Sequence, residues 1–173
     1  NDAELANLID GFASITIGDA AGGTGAVNID SATFLDPVTI AGGVINDGAG
    51  AVDIAGPSVT LGGNVSPGMS PGILNVAGDF SFSQNARLTL EVEGPNAGEG
   101  TGFHDQISVT GSVNLANASL VPSFLGGYMP PVGQEFSIVV NDGGAPVSGT
   151  FQGVPEGALI LITGQLVEVS YVG

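Results

Sequence analysis

One short unit recurs along this chain and constrains its fold more than any other feature: apolar, polar, apolar, then a small residue or a turn. It reads "ITIGD" at 15–19, "VNID" at 27–30, "VTIAGG" at 38–43 and "VDIAG" at 52–56. It returns as "VTLGG" at 59–63, "LNVAG" at 74–78, "ISVTG" at 107–111 and "VNLAN" at 113–117. Successive side chains of an extended strand point to opposite faces, so each unit is a short strand with one buried face. The inward set is Ile15/Ile17, Val27/Ile29, Val38/Ile40, Val52/Ile54, Val59/Leu61, Leu74/Val76, Ile107/Val109 and Val113/Leu115. The middle positions, Thr16, Asn28, Thr39, Asp53, Thr60, Asn75, Ser108 and Asn114, are expected to form one outward column of small polar side chains.

Between the strands the chain is heavily punctuated. It carries 30 Gly and 10 Pro in 173 residues, too many for a helical protein. In "SPGMSPG" (66–72), Pro67 and Pro71 fix φ while Gly68 and Gly72 permit positive φ, which makes a corner between strands. Ile73, Leu74, Val76 and Phe80 then resume a buried pattern. Short strands with Gly-rich corners admit a sandwich, a barrel or a solenoid. Recurrence of one local unit favours coils stacked on one another, since a stacked rung buries its side chains only against its neighbours. Val27 to Val38 is 11 residues and Val38 to Val52 is 14, so a strict short period is excluded. The fold expected is all-β, a parallel β-helix (β-solenoid) with variable corners; a β-sandwich is the alternative.

The chain divides by texture. Residues 1–120 read as β-helix rungs. From Val121 onward larger aromatics and Pro122, Pro130 and Pro131 appear, and "QEFSIVV", "VSGTFQGV", "ALILITG" and "QLVEVSYV" read as four further strands, the last two a hairpin. An open β-stack needs its end blocked against edge pairing, so 121–173 is expected to be a C-terminal cap of the same continuous domain. Only "NDAELANLID" looks helical, with Asp2 as N-cap and Leu5, Leu8 and Ile9 on one face; folded back, it would cover the first rung. The start lacks an initiator Met and reads as cut from a longer precursor.

Charge narrows the partners. Seventeen acids against one Lys or Arg give a formal net charge of −16, and affinity for phosphate backbones and anionic membranes depends on Lys and Arg. Nucleic-acid binding is excluded on that ground. Hydrophobic residues are 43 %, enough to bury a core. With no Cys there is no disulfide, thiolate metal site or Cys nucleophile. No apolar run reaches the length of a membrane-spanning helix, so membrane insertion is not expected.

Several longer stretches resemble a known family. "FASITIGDAAGGTGAVNIDSATFLDPVTIAGG" is similar to repeats of very large bacterial, often cyanobacterial, surface proteins. "SPGMSPGILNVAGDFSFSQNARLTLEVEG", "DQISVTGSVNLANASLVPSF" and the closing "GTFQGVPEGA" and "VSYVG" resemble the terminal β-helix segment of autotransporter passenger domains and filamentous-haemagglutinin-like adhesins. That family's closing segment usually continues into a Gly-Asn-Asp motif, which this chain lacks. The resemblance implies a right-handed parallel β-helix, secretion to the cell surface, and a structural or adhesive role. It carries over no catalytic residue.

Chemistry is sparse. Glu91 and Glu93 in "LTLEVEG" share one strand face roughly 7 Å apart, a separation that also serves glycoside hydrolysis, but with no cleft to be inferred a solvated face on a very acidic protein is the expected reading. His104 and Asp105 adjoin in the Gly-rich "GTGFHDQ", near Glu99; such adjacency orients a general base, but a lone His in a Gly-rich segment is expected in an exposed loop. Arg87, the one cation, is expected to bridge Glu91 or Asp79. Calcium is considered because oxygen ligands abound at Asp47, Asp53 and Asp142, but "GGTGAV" places Val27 where the calcium β-roll motif needs Asp. Ice binding is disfavoured by the uneven mixture of outward side chains. Glycan contact is compatible, while Phe12, Phe34, Phe80, Phe82 and Phe136 read as rung filling.

No catalytic, cofactor-binding or metal-ligating residue is assigned. The expected function is a non-enzymatic structural or adhesive segment of a secreted bacterial surface protein or fibre. A carbohydrate-binding module or a β-helix polysaccharide-acting enzyme is the alternative. Expected partners are further copies of the chain, neighbouring repeats of its parent, glycans and cell-surface components.

Overall fold

The computed structural model describes residues 10–19, 24–47, 54–68 and 70–172. The expected N-terminal helix over Leu5, Leu8 and Ile9, and the unit residues Val52 and Asp53, lie outside them. The described residues are all-β, with no helix among them.

Eleven strands form one sheet in which every pairing is parallel. They are β1 (Ile15–Gly18), β2 (Ala26–Ile29), β3 (Ala32–Thr33), β4 (Val38–Asp47), β5 (Ile54–Ser66), β6 (Ile73–Phe82), β7 (Arg87–Val92), β8 (Gln106–Val109), β9 (Val113–Asn114), β10 (Ser119–Phe124) and β11 (Val139–Asn141). The hairpin expected at the C-terminus is present: β12 (Ala158–Ile162) pairs antiparallel with β13 (Gln165–Val169). The parallel pairing does not close on itself among the described residues.

Pairing sorts the strands into three ranks. In the first, Ile15 lies beside Val38, Val38 beside Val59, Val59 beside Phe80, and Phe80 beside Val113. In the second, the neighbours run Val27, Ile45, Val65, Leu88, Leu120. In the third they run Ala32, Ile54, Val76, Val109, Asn141. Long strands belong to two ranks because they turn midway: register shifts between Gly42 and Val44 in β4 and between Ala55 and Ser58 in β5. Parallel strands are adjacent here only after the chain has passed through the other ranks, which is why neighbouring units in sequence are not neighbours in the sheet.

Alternation within each unit makes the core. Ile40, Ile54, Val59, Leu61, Leu74, Val76, Phe80, Leu88, Ile107, Val109, Val113 and Leu115 are all buried in one cluster, as the inward set requires. Phe80 and Phe82 meet edge to face at 4.9 Å, and Phe34 is buried in the same cluster. Phe12 does not fill a rung: it is 51 % exposed. A second cluster joins Leu90, Val92 and Phe124 to Ile162, so the inner face of the hairpin packs on β7 and β10. Its outer face leaves Leu159, Leu161 and Leu166 exposed.

Three expectations change in detail. The polar middle positions do not form one column: Thr16, Thr39, Thr60 and Asn114 share a rank with Ser81, whereas Asn28 aligns with Asn46, and Asn75 with Ser108. Gly72 does not adopt positive φ; Ser70 does (φ 38), ahead of a cis Ser70–Pro71 bond. Gly68 is the position that needs both positive φ (58) and a missing Cβ, because a Cβ there would sit 2.3 Å from the Gly72 Cα. Of the four C-terminal strands, "QEFSIVV" contributes only β11, and "VSGTFQGV" gives isolated bridges, Asn114 with Ser148 and Phe151 with Val154.

Candidate functional site

The candidate residues gather where residues 93–105 are inserted between β7 and β8. Glycines let this segment fold back on itself rather than wave in solvent. A Cβ on Gly94 would lie 1.8 Å from the Gly102 carbonyl oxygen, and one on Gly98 would lie 2.4 Å from the Phe103 ring. The chain returns antiparallel: Glu93 N–H donates to the Phe103 carbonyl, His104 N–H to Asn96 and Asp105 N–H to Glu91. Both His104 and Asp105 are thereby buried, 3 % and 0 % exposed, which corrects the expectation of an exposed loop.

Asp105 is the centre of this arrangement. Its Oδ1 accepts the Gly72 N–H and its Oδ2 the Glu91 N–H, each at 2.7 Å. One carboxyl, just ahead of β8, thus joins the "SPG" corner to β7. Burial pushes its pKa up to about 7, although both amide donors favour the ionised form; the nearby Glu91 charge adds to the rise.

His104 faces away from this carboxyl chemistry. Its Nδ1 stands 3.3 Å from the Gly94 carbonyl, a pairing that puts the proton on Nδ1. The ring packs edge-on against Phe136 at 5.3 Å. Burial lowers its pKa, against the carbonyls of Gly94, Ser137 and Asn96, so the imidazole is held neutral. Nε2 is buried without a hydrogen-bond partner among the described residues.

The carboxylates nearby are engaged in holding backbone and hydroxyl groups. Glu91 accepts from the Ser70 hydroxyl, and Glu93 from the Gly102 N–H at 3.2 Å. Asp79 Oδ1 takes both the N–H and the hydroxyl of Ser112 at 2.8 Å, which holds its pKa below the usual carboxylate range. The carboxylates expected to hold Arg87 are thus used elsewhere, and Arg87 stands exposed on β7. Glu99 and Asp142 are exposed. Asp53 and the side chain of Asp47 lie outside the described residues. Among those described, no group of three metal-ligating side chains comes together, and no helix is long and apolar enough to cross a membrane.

The sequence offers Glu91 with Glu93 and His104 with Asp105 as two separate candidates, and the fold brings them to one corner; a separate polar cleft carries no such signal in the sequence. It is lined by Gln84, Asn85, Ala116, Asn117, Ser119 and Gln152. No family model matches the chain, and neither a curated protein nor a solved structure matches it.

Proposed function

We propose that this chain is a right-handed parallel β-helix segment with a C-terminal cap, serving as a non-enzymatic structural and adhesive part of a secreted bacterial surface protein or fibre. The observation that carries the reading is the regular advance of the first rank. Val38 to Val59 and Val59 to Phe80 are each 21 residues, and Phe80 to Val113 is 33 once the 93–105 insertion is included. A chain that returns beside itself in parallel after visiting two other ranks winds as a coil. Parallel crossovers in one sheet are overwhelmingly right-handed, which favours that hand here.

The cap reading draws support from the hairpin, whose inner face covers Leu90, Val92 and Phe124. The exposed Leu159, Leu161 and Leu166 on its other face suit contact with neighbouring repeats or a second copy. A non-enzymatic role is supported by the fate of the candidate acids and base, each engaged in a bond that holds the corner together.

The test is on cells that produce the parent protein. Antibody against this chain should label intact cells, and protease added outside should remove the signal. Labelling only after lysis would overturn the surface assignment.

A further inference from the structure

The polar cleft lies where three turns stack. The turn at 83–86 closes with Ala86 N–H on the Ser83 carbonyl, that at 115–118 with Ala118 N–H on Leu115, and that at 151–154 with Val154 N–H on Phe151. Ser119 N–H donates to the Ala86 carbonyl and Gln152 N–H to the Ala118 carbonyl, so the turns are tied one above another. Asn85 (φ 67), Asn117 (φ 61) and Gly153 (φ 68) hold the same left-handed place in each. Asn tolerates that conformation better than most side chains, so the first two turns carry a carboxamide where the third carries none.

The resulting concavity has a volume of about 350 Å³, within the range of small-molecule sites. Its chemistry is unusual for this chain. Of six lining residues four are carboxamides, one is a hydroxyl and none is ionisable, in a protein of net charge −16. Ser119 Oγ donates to Gln152 Oε1 at 3.0 Å, leaving the Gln152 NH₂ to donate elsewhere. Among the described residues no bond engages the side chains of Gln84, Asn85 or Asn117. Ala116 holds φ 47, a strained value for a residue with a Cβ, with its N–H on Asn114 Oδ1.

From this lining we infer that the cleft binds a neutral saccharide. Each carboxamide offers donors and an acceptor in one plane, and a sugar's neighbouring hydroxyls both give and accept. An anion would want cations in the lining, a metal ion would want carboxylates, and an apolar ligand would leave the four amides unpaired. The inference rests on the surface-contact reading for its biological setting, but its test uses the purified chain and fails or succeeds wherever the chain resides.

Side-chain amide resonances of ¹⁵N-labelled protein would be followed during titration with neutral tetrasaccharides of glucose, galactose, mannose and N-acetylglucosamine. At least one should produce saturable shifts at Gln84, Asn85, Asn117 and Gln152. The double variant Asn85→Gly, Asn117→Gly keeps residues at ease with positive φ while deleting two amides. It should weaken binding at least tenfold with an unchanged melting temperature. Absence of saturable shifts with all four sugars overturns the inference, as do shifts that survive in the double variant, or that are reproduced by glycerol at equal hydroxyl concentration.

Discussion

The backbone N–H of Gly72 donates to Asp105 Oδ1 at 2.7 Å, across 33 positions of sequence. That bond ties the most heavily punctuated corner of the chain to the most deeply buried carboxyl group among the described residues, and Glu91 N–H completes the clasp on the other oxygen. A buried acid whose pKa lies near 7 makes stability depend on pH in an unusual direction.

The native Asp105 holds its proton up to about pH 7, whereas an unfolded Asp releases it near pH 4. Its contribution is therefore fully present below about pH 4 and is lost as pH rises to about 7, at a slope of up to about 1.4 kcal/mol per pH unit. Asp79 has the opposite sign, since its pKa is lowered, and its contribution is lost as pH falls. Urea unfolding of the wild type and of Asp105→Asn at pH 4 to 8 isolates the term. The wild-type advantage over the variant should shrink between pH 4 and 7 and then level off. A difference that stays constant across that range would refute the assignment.

Corner glycines separate backbone strain from lack of space. Gly78 has φ 138, and a Cβ there would lie 1.8 Å from the Gly56 carbonyl oxygen in the neighbouring strand β5. Gly144 has φ 71 with nothing within 4 Å. Thermal or urea unfolding should show Gly144→Ala costing about 1 kcal/mol and Gly78→Ala more than about 3 kcal/mol. Equal costs would mean that β5 and β6 do not approach at Gly78.

Self-repulsion among seventeen acids and one cation should make the fold more stable as salt is added. Melting temperature should rise with sodium chloride, and calcium chloride at matched ionic strength should give the same curve. A saturable rise specific to calcium would identify a bound ion.

Strands and core were legible in the sequence because alternation is local: Val59, Thr60 and Leu61 declare their faces without reference to anything distant. Stacking was less so. Thr16 meets Thr39 and then Thr60, skipping Asn28, because which strands become neighbours is set by the corners and leaves no mark on the period-two pattern. His104 was misplaced for a different reason. Glycine-rich composition reads as a loose loop, yet at Gly94 and Gly98 the missing Cβ serves close approach, and close approach buries the histidine. Asn85 and Asn117 carried a signal in hindsight, as asparagines one residue before Ala86 and Ala118 in turns that follow a strand.

The winding itself is most directly tested by one distance. Thr16 and Asn114 are 98 residues apart in sequence but four neighbours apart in one rank, through Thr39, Thr60 and Ser81. At about 4.8 Å per parallel neighbour, stacked coils place them roughly 19 Å apart. The chain has no cysteine, so Thr16→Cys with Asn114→Cys gives a uniquely spin-labelled pair. Pulsed electron–electron resonance should return a single narrow distribution centred near 20 Å after allowance for the label arms. A broad distribution, or a separation half as long again, would contradict the coil.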